Sequence, residues 1–71
     1  MNRFNGLQLG DSGLRVKQLQ QQLKDIGLYT DAIDGKLSES VKNAIVNFQT
    51  SKKMQADGIV GIKTWVALLW I

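Results

Sequence analysis

The sequence predicts an all-α fold, a compact three-helix bundle with a duplicated helix-loop unit. Three observations carry this reading. Apolar residues recur at steps of three and four in three separate segments, as in helices with one buried stripe. No run of any length alternates apolar and polar residues in the manner of a half-buried strand. A helix, a loop and an Asp-Gly pair also occur twice in the same order. At 71 residues and 44% hydrophobic content the chain encloses a single core.

The first helix is expected from Leu14 to Leu28, with Val16, Leu19, Leu23 and Ile26 on one stripe and Gln and Lys between them. Asp11 and Ser12 are placed to accept hydrogen bonds from its first free N–H groups, and Gly27 suits the left-handed residue that closes a helix. The second runs from Ser38, its N-cap, to about Lys53, with Val41, Ala44, Ile45 and Phe48 as the stripe. The third is short, from Gly61 or Ile62 to Leu69, with Trp65, Leu68 and Leu69 inward and Thr64 as a β-branched start. Between them lie Leu28 to Leu37 and Met54 to Val60, each with an Asp-Gly pair of the kind that turns through a positive φ. A helix under about 12–15 residues is marginal in water, so the three stripes must bury one another.

Self-comparison sharpens the pattern. Val16-x-x-Leu19-Gln20 recurs 29 residues on as Ile45-x-x-Phe48-Gln49, and Asp34-Gly35-Lys36-Leu37-Ser38-x-x-Val41 recurs 23 residues on as Asp57-Gly58-Ile59-Val60-Gly61-x-x-Thr64. The difference of six residues assigns a longer first loop, with the extra length around Leu28 to Ile33.

Composition removes several chemistries. Cysteine and histidine are both absent, so there is no disulfide, thiolate nucleophile, Ser-His pair or ordinary zinc site. Asp31 and Asp34 lack the 12-residue, oxygen-rich loop of a calcium site. No metal and no cofactor is expected. Asp34 and Asp57 occupy equivalent turns, whereas an acid/base pair needs two different environments, so glycosidase chemistry is rejected. The net charge of +3 is spread out, with Lys52-Lys53 the only adjacent basic pair, and the third helix is mostly apolar, which speaks against nucleic acid. Met1 to Gly13 lacks the apolar core of a secretory signal, and no window approaches a membrane span of about 18 apolar residues. Any export signal is expected outside this chain.

The string Leu9-Gly10-x-x-Gly13-x-x-Val16-x-x-Leu19-Gln20-x-x-Leu23-x-x-x-Gly27, followed by Asp34-Gly35, Phe48-Gln49 and Asp57-Gly58-x-Val60-Gly61-x-x-Thr64-Trp65-x-x-Leu68, resembles the peptidoglycan-binding domain of bacterial and phage cell-wall hydrolases. The likeness runs from about Leu7 to Leu69. It departs in the first turn, where the family pattern has Phe-Gly and then Thr, and this chain has Leu37-Ser38 and Val41. The resemblance implies a lead segment over 1–8 and a peptidoglycan-binding-like domain over 9–71. It implies a non-catalytic, monomeric module that binds peptidoglycan in the bacterial cell wall or extracellular space and anchors a covalently linked catalytic domain. Neither nucleic acid nor membrane is an expected partner. The rival reading is an intramolecular docking domain of a larger protein with no wall ligand.

A wall binder needs an aromatic plate, amide-type hydrogen-bonding groups and some positive charge. The expected site is the groove where the two Asp-Gly loops approach the second and third helices. Tyr29 is its stacking ring or else a structural plug of the longer loop, Asp34, Gln49 and Asp57 are polar contacts, and Lys63, with Lys17 and Lys36, can face stem-peptide carboxylates. Leu19, Phe48 and Trp65 are assigned to the core and Gly35 and Gly58 to the turns; Gln20 and Gln49 are placed to tie each helix to its following loop. Trp70 is either a lid over Phe4 and Leu7 or an exposed platform.

Overall fold

A computed structural model of the chain describes residues 6–70. Helix α1 spans Leu14–Asp25, α2 spans Glu39–Ser51 and α3 spans Ile62–Leu69. Among the described residues the extended segments form only two isolated antiparallel bridges, Leu7 with Val60 and Ser12 with Lys36. The three-helix, all-α architecture is the one the periodicity predicts.

The stripes of α1 and α2 lie where their spacing puts them. Val16, Leu19 and Leu23 of α1 and Val41, Ala44, Ile45 and Phe48 of α2 are buried, joined by Leu37, Val60 and Leu68. Helix α1 packs against both α2 and α3. In α3 the buried line is Thr64 and Leu68, four apart, with Trp65 half-buried on its flank. Leu69, expected inward, is 68% exposed because it lies about 100° around the helix from Leu68. Trp70 is 83% exposed, and its suggested partner Phe4 lies outside the described residues.

The helix starts correct two expectations. Gly13, at φ 123 and ψ −167, is the N-cap of α1, and neither Asp11 nor Ser12 caps it. Those residues are committed elsewhere. The segment before α1 runs along the first Asp-Gly turn, with Gly13 N donating to Gly35 O at 2.9 Å, Leu37 N to Asp11 O at 2.9 Å and Gly10 N to Leu37 O at 3.0 Å. The Asp11 carboxylate accepts from Gln8 N. Ser38 does occupy the N-cap of α2, but its hydroxyl meets that of Ser40 at 3.2 Å and bonds no helix N–H. Further upstream, Leu7 exchanges two hydrogen bonds with Val60, 3.1 and 2.8 Å long, and is itself buried. Part of the 1–8 lead therefore belongs to the packed body.

The helix ends match each other. Gly27 N donates to Lys24 O and Leu28 N to Leu23 O, with Gly27 left-handed at φ 83. Lys53 N donates to Thr50 O and Met54 N to Gln49 O, with Lys53 left-handed at φ 59. Both are the paired closure that satisfies the last free carbonyls of a helix. This equivalence relocates the extra length of the first unit. Gly27 follows Gln20 by seven residues and Lys53 follows Gln49 by four; the Asp of the next turn then follows by seven and by four. Half of the six-residue surplus is therefore nearly a turn of extra helix, and only half is loop.

Lys53 is the only non-glycine residue at positive φ among the described residues. A left-handed L-residue costs about 1–2 kcal/mol, and the greater chain entropy of glycine offsets about 0.5–1 kcal/mol of any relief. Lys53→Gly is expected to raise stability by about 0.5–1 kcal/mol, or a few degrees in Tm, in paired urea and thermal unfolding curves.

Candidate functional site

Two buried glutamines organise the molecule. Gln20 and Gln49 are 0% and 1% exposed, each one residue beyond a core position of its helix. The Gln20 side-chain amide nitrogen donates to Asp34 Oδ1 at 2.9 Å, to Lys36 O at 3.2 Å and to the Tyr29 hydroxyl at 3.2 Å, and its oxygen accepts from Gly35 N at 2.8 Å. Gln49 repeats the set 29 residues on, donating to Asp57 Oδ1 at 3.2 Å, Ile59 O at 3.0 Å and Thr64 Oγ1 at 3.2 Å while accepting from Gly58 N at 3.0 Å. Asp34 and Asp57 each also accept from the backbone N–H two residues on. The tie between each helix and its following loop is thus formed in both halves.

Gly35 and Gly58 lie at φ 77 and 74, which glycine adopts without strain. A Cβ there would also crowd a lysine stem, Lys17 Cγ at 3.2 Å over Gly35 and Lys42 Cγ at 3.1 Å over Gly58.

The two hubs differ in the source of one accepting hydroxyl. In the second half a hydroxyl comes from Thr64, the first buried residue of α3; the equivalent position in the first half is Val41, which has none. Tyr29 supplies it from the loop, and the Tyr29 hydroxyl also donates to Ala32 O at 2.6 Å. This decides for the structural plug and against the stacking ring. Tyr29 is 5% exposed and part of the core cluster, because its hydroxyl replaces the missing threonine and its ring must lie inside to reach Gln20.

One open feature is a groove of about 610 Å³ on the second half, between the end of α2 and the start of α3. Of the expected contacts it brings together Gln49, Asp57 and Lys63; Tyr29 and Asp34 do not line it. Sequence reasoning missed Lys53, Met54, Gln55, Ile59 and Ile62 in its wall. Their proximity follows from the tight closure at Lys53, for which the sequence carries no glycine signal. Gln49 is fully engaged inside the wall, so the groove presents outward only the remaining groups. Asp57 Oδ2 and the Lys53 and Lys63 ammonium groups have no hydrogen bond or ion pair among the described residues. Lys17 and Lys36 lie outside the groove.

The hydrogen bond from Gln20, and then that from Lys36 N, holds the Asp34 carboxyl below its ordinary pKa. Burial, followed by the nearby carboxylates Asp34 and Asp31, pushes the Tyr29 hydroxyl above 10.0. The Asp34 contribution to stability is present above the ordinary aspartate pKa and lost as pH falls through its depressed value. The Tyr29 contribution is present at neutral pH and lost as pH rises through its raised value.

Comparison with known proteins places this arrangement. Residues 12–68 match the family described as "Putative peptidoglycan binding domain". The chain is 36% identical over 56 residues to the N-acetylmuramoyl-L-alanine amidase CwlM of Mycobacterium tuberculosis, covering 79% of this chain and 14% of that protein. It is 40% identical over 58 residues to a spore cortex-lytic enzyme of Bacillus cereus, covering 82% of this chain and 22% of that enzyme. The chain thus spans under a quarter of the length of these relatives. The crystal structure of the SleB N-terminal domain superposes with a TM-score of 0.91 at 34% identity, covering 99% of this chain and 96% of that one.

Exchange of the accepting hydroxyl is testable by a double-mutant cycle. Tyr29→Phe is expected to cost about 1 kcal/mol at pH 7, since Gln20 keeps two acceptors for its two N–H groups and the main loss falls on Ala32 O. Val41→Thr alone is expected to cost about 1–2 kcal/mol by burying a second hydroxyl beside the first. The double variant should cost less than the sum in urea unfolding, as Thr at 41 takes the role Thr64 has in the other half. Tyr29→Phe should also remove the part of the stability loss above pH 10 that comes from Tyr29 ionisation.

Proposed function

We propose, since this chain belongs to the peptidoglycan-binding domain family, that it is a non-catalytic module holding a larger wall protein against its polymer. The observation that carries this reading is the groove beside the second hub, whose walls are rigid because Gln49 bonds to residues 57, 58, 59 and 64 at once. A ligand meets a preformed surface, with little ordering cost on binding.

A binding role without chemistry is further supported by the two aspartates. Each gives one carboxylate oxygen to the same pair of structural bonds, an amide and a backbone N–H, so they are duplicates of one turn. The relatives are amidases and cortex-lytic enzymes several times longer than this chain, which supports a linked catalytic domain and a cell-wall or extracellular setting for the parent protein. One copy acting as a monomer would bind modestly and gain retention from repeated sites on the polymer. A nucleic-acid partner is disfavoured by α3, which exposes Ile62, Val66 and Leu69 in place of a basic face. Those same residues, which line one recess with Trp65, favour a second reading in which this face docks on a linked domain.

Co-sedimentation with insoluble sacculi separates the two. Saturable pelleting is expected, with a chitin control staying low, and Lys63→Glu should weaken it about two- to tenfold while unfolding curves stay unchanged. Failure of the folded chain to pellet at high micromolar concentration with several wall types would reject wall binding in favour of docking.

A further inference from the structure

We infer that the groove takes the acidic stem peptide of peptidoglycan and not its glycan strand; this rests on the wall-binding reading above. The two parts of the polymer differ in what they ask of a site. The glycan is built of uncharged acetamido sugars with apolar faces, which bind by stacking on an exposed aromatic ring and by hydrogen bonds to hydroxyls. The stem peptide carries free carboxylates and, at a diamino residue, an ammonium group. It asks for cations, an anion and room for an aliphatic chain.

The groove answers the second description. None of its lining residues is aromatic. The described aromatic residues lie elsewhere: Tyr29 and Phe48 are buried, Trp65 lines a separate apolar recess of about 420 Å³ with Ile62, Val66 and Leu69, and Trp70 is exposed at the far end of α3. What the groove does present is Lys53 and Lys63, whose ammonium groups have no partner among the described residues, and the outer oxygen of Asp57. Met54, Ile59 and Ile62 supply the apolar wall. Two cations and one anion complement a ligand with carboxylates and one amine, and a neutral sugar leaves all three charges unanswered. The first half is built differently. Its extra loop brings Tyr29 over the Gln20 hub, so the duplicated unit has one peptide site.

The test uses the whole chain, labelled with nitrogen-15, and two soluble probes: the tetrapeptide L-Ala-γ-D-Glu-meso-diaminopimelate-D-Ala and chitotetraose. The tetrapeptide should shift backbone amides within 53–64 saturably, and chitotetraose should leave them in place. Lys53→Asn, which tolerates the left-handed backbone, and Lys63→Gln should each raise the tetrapeptide Kd about two- to fivefold. Both effects should shrink on going from 50 to 300 mM salt. Sacculus pelleting is run beside the titrations so that the two readings fail separately. If sacculi pellet the chain but chitotetraose shifts residues around Trp65 and Trp70 and the tetrapeptide shifts nothing, the peptide assignment is overturned and wall binding stands. Tetrapeptide shifts confined to residues outside 53–64 overturn the assignment too. If neither sacculi nor probes bind, the wall-binding reading falls and takes this inference with it.

Discussion

A primary amide sealed from water must find partners for its oxygen and both its N–H groups, and this requirement is met twice here by the same turn. An unpaired buried polar group costs about 1–3 kcal/mol, a large share of the stability of a domain this small. Gln20 and Gln49 avoid the penalty by drawing in an aspartate, a glycine N–H and a carbonyl from the loop that follows each helix. The loops then have no freedom to drift. Leu37 and Val60 are carried into the core immediately after each turn, and the next helix begins at a set angle. No buried side-chain polar atom among the described residues is left without a partner.

Duplication with divergence explains why the halves differ in shape. Both turns are built alike, yet the hydroxyl of the hub comes from the following helix in one half and from the intervening loop in the other. Bringing that hydroxyl from the loop places a large ring in the interior, so the first half gains packing. Taking it from Thr64 leaves the loop after α2 short, and the space beside it open. The groove is thus a consequence of which residue satisfies a glutamine.

The fold was legible because its signals are local. Stripes at steps of three and four, Asp-Gly pairs and the glycine at 27 each report a backbone state through chemistry in the sequence itself. The repeat displacement even pointed to Gln20 and Gln49 as ties between helix and loop. The caps were less legible, since Asp11 and Ser12 look like capping residues until pairing with the first turn claims the segment they sit in. The interior place of Tyr29 is hard to read for a related reason. A tyrosine in a loop looks available, and its interior place follows only from the absence of a hydroxyl at Val41, a dependence across twelve residues and two elements. Lys53 was hidden by its type, because lysine gives no sign of the left-handed backbone that closes α2 and forms the groove edge.

The antiparallel pair between Leu7 and Val60 bears on the order in which this chain acquires its structure. The two residues are fifty-three positions apart, and Leu68 must arrive later still to seal the side of α1 that faces α3. Helices and turns can flicker locally within microseconds, but closing so long a loop carries an entropic debt that only the assembled core returns. Shorter nascent lengths therefore lack the contacts that hold the N-terminal segment down. During synthesis the domain stays uncommitted until almost its last turn of helix has emerged, and then locks as a unit.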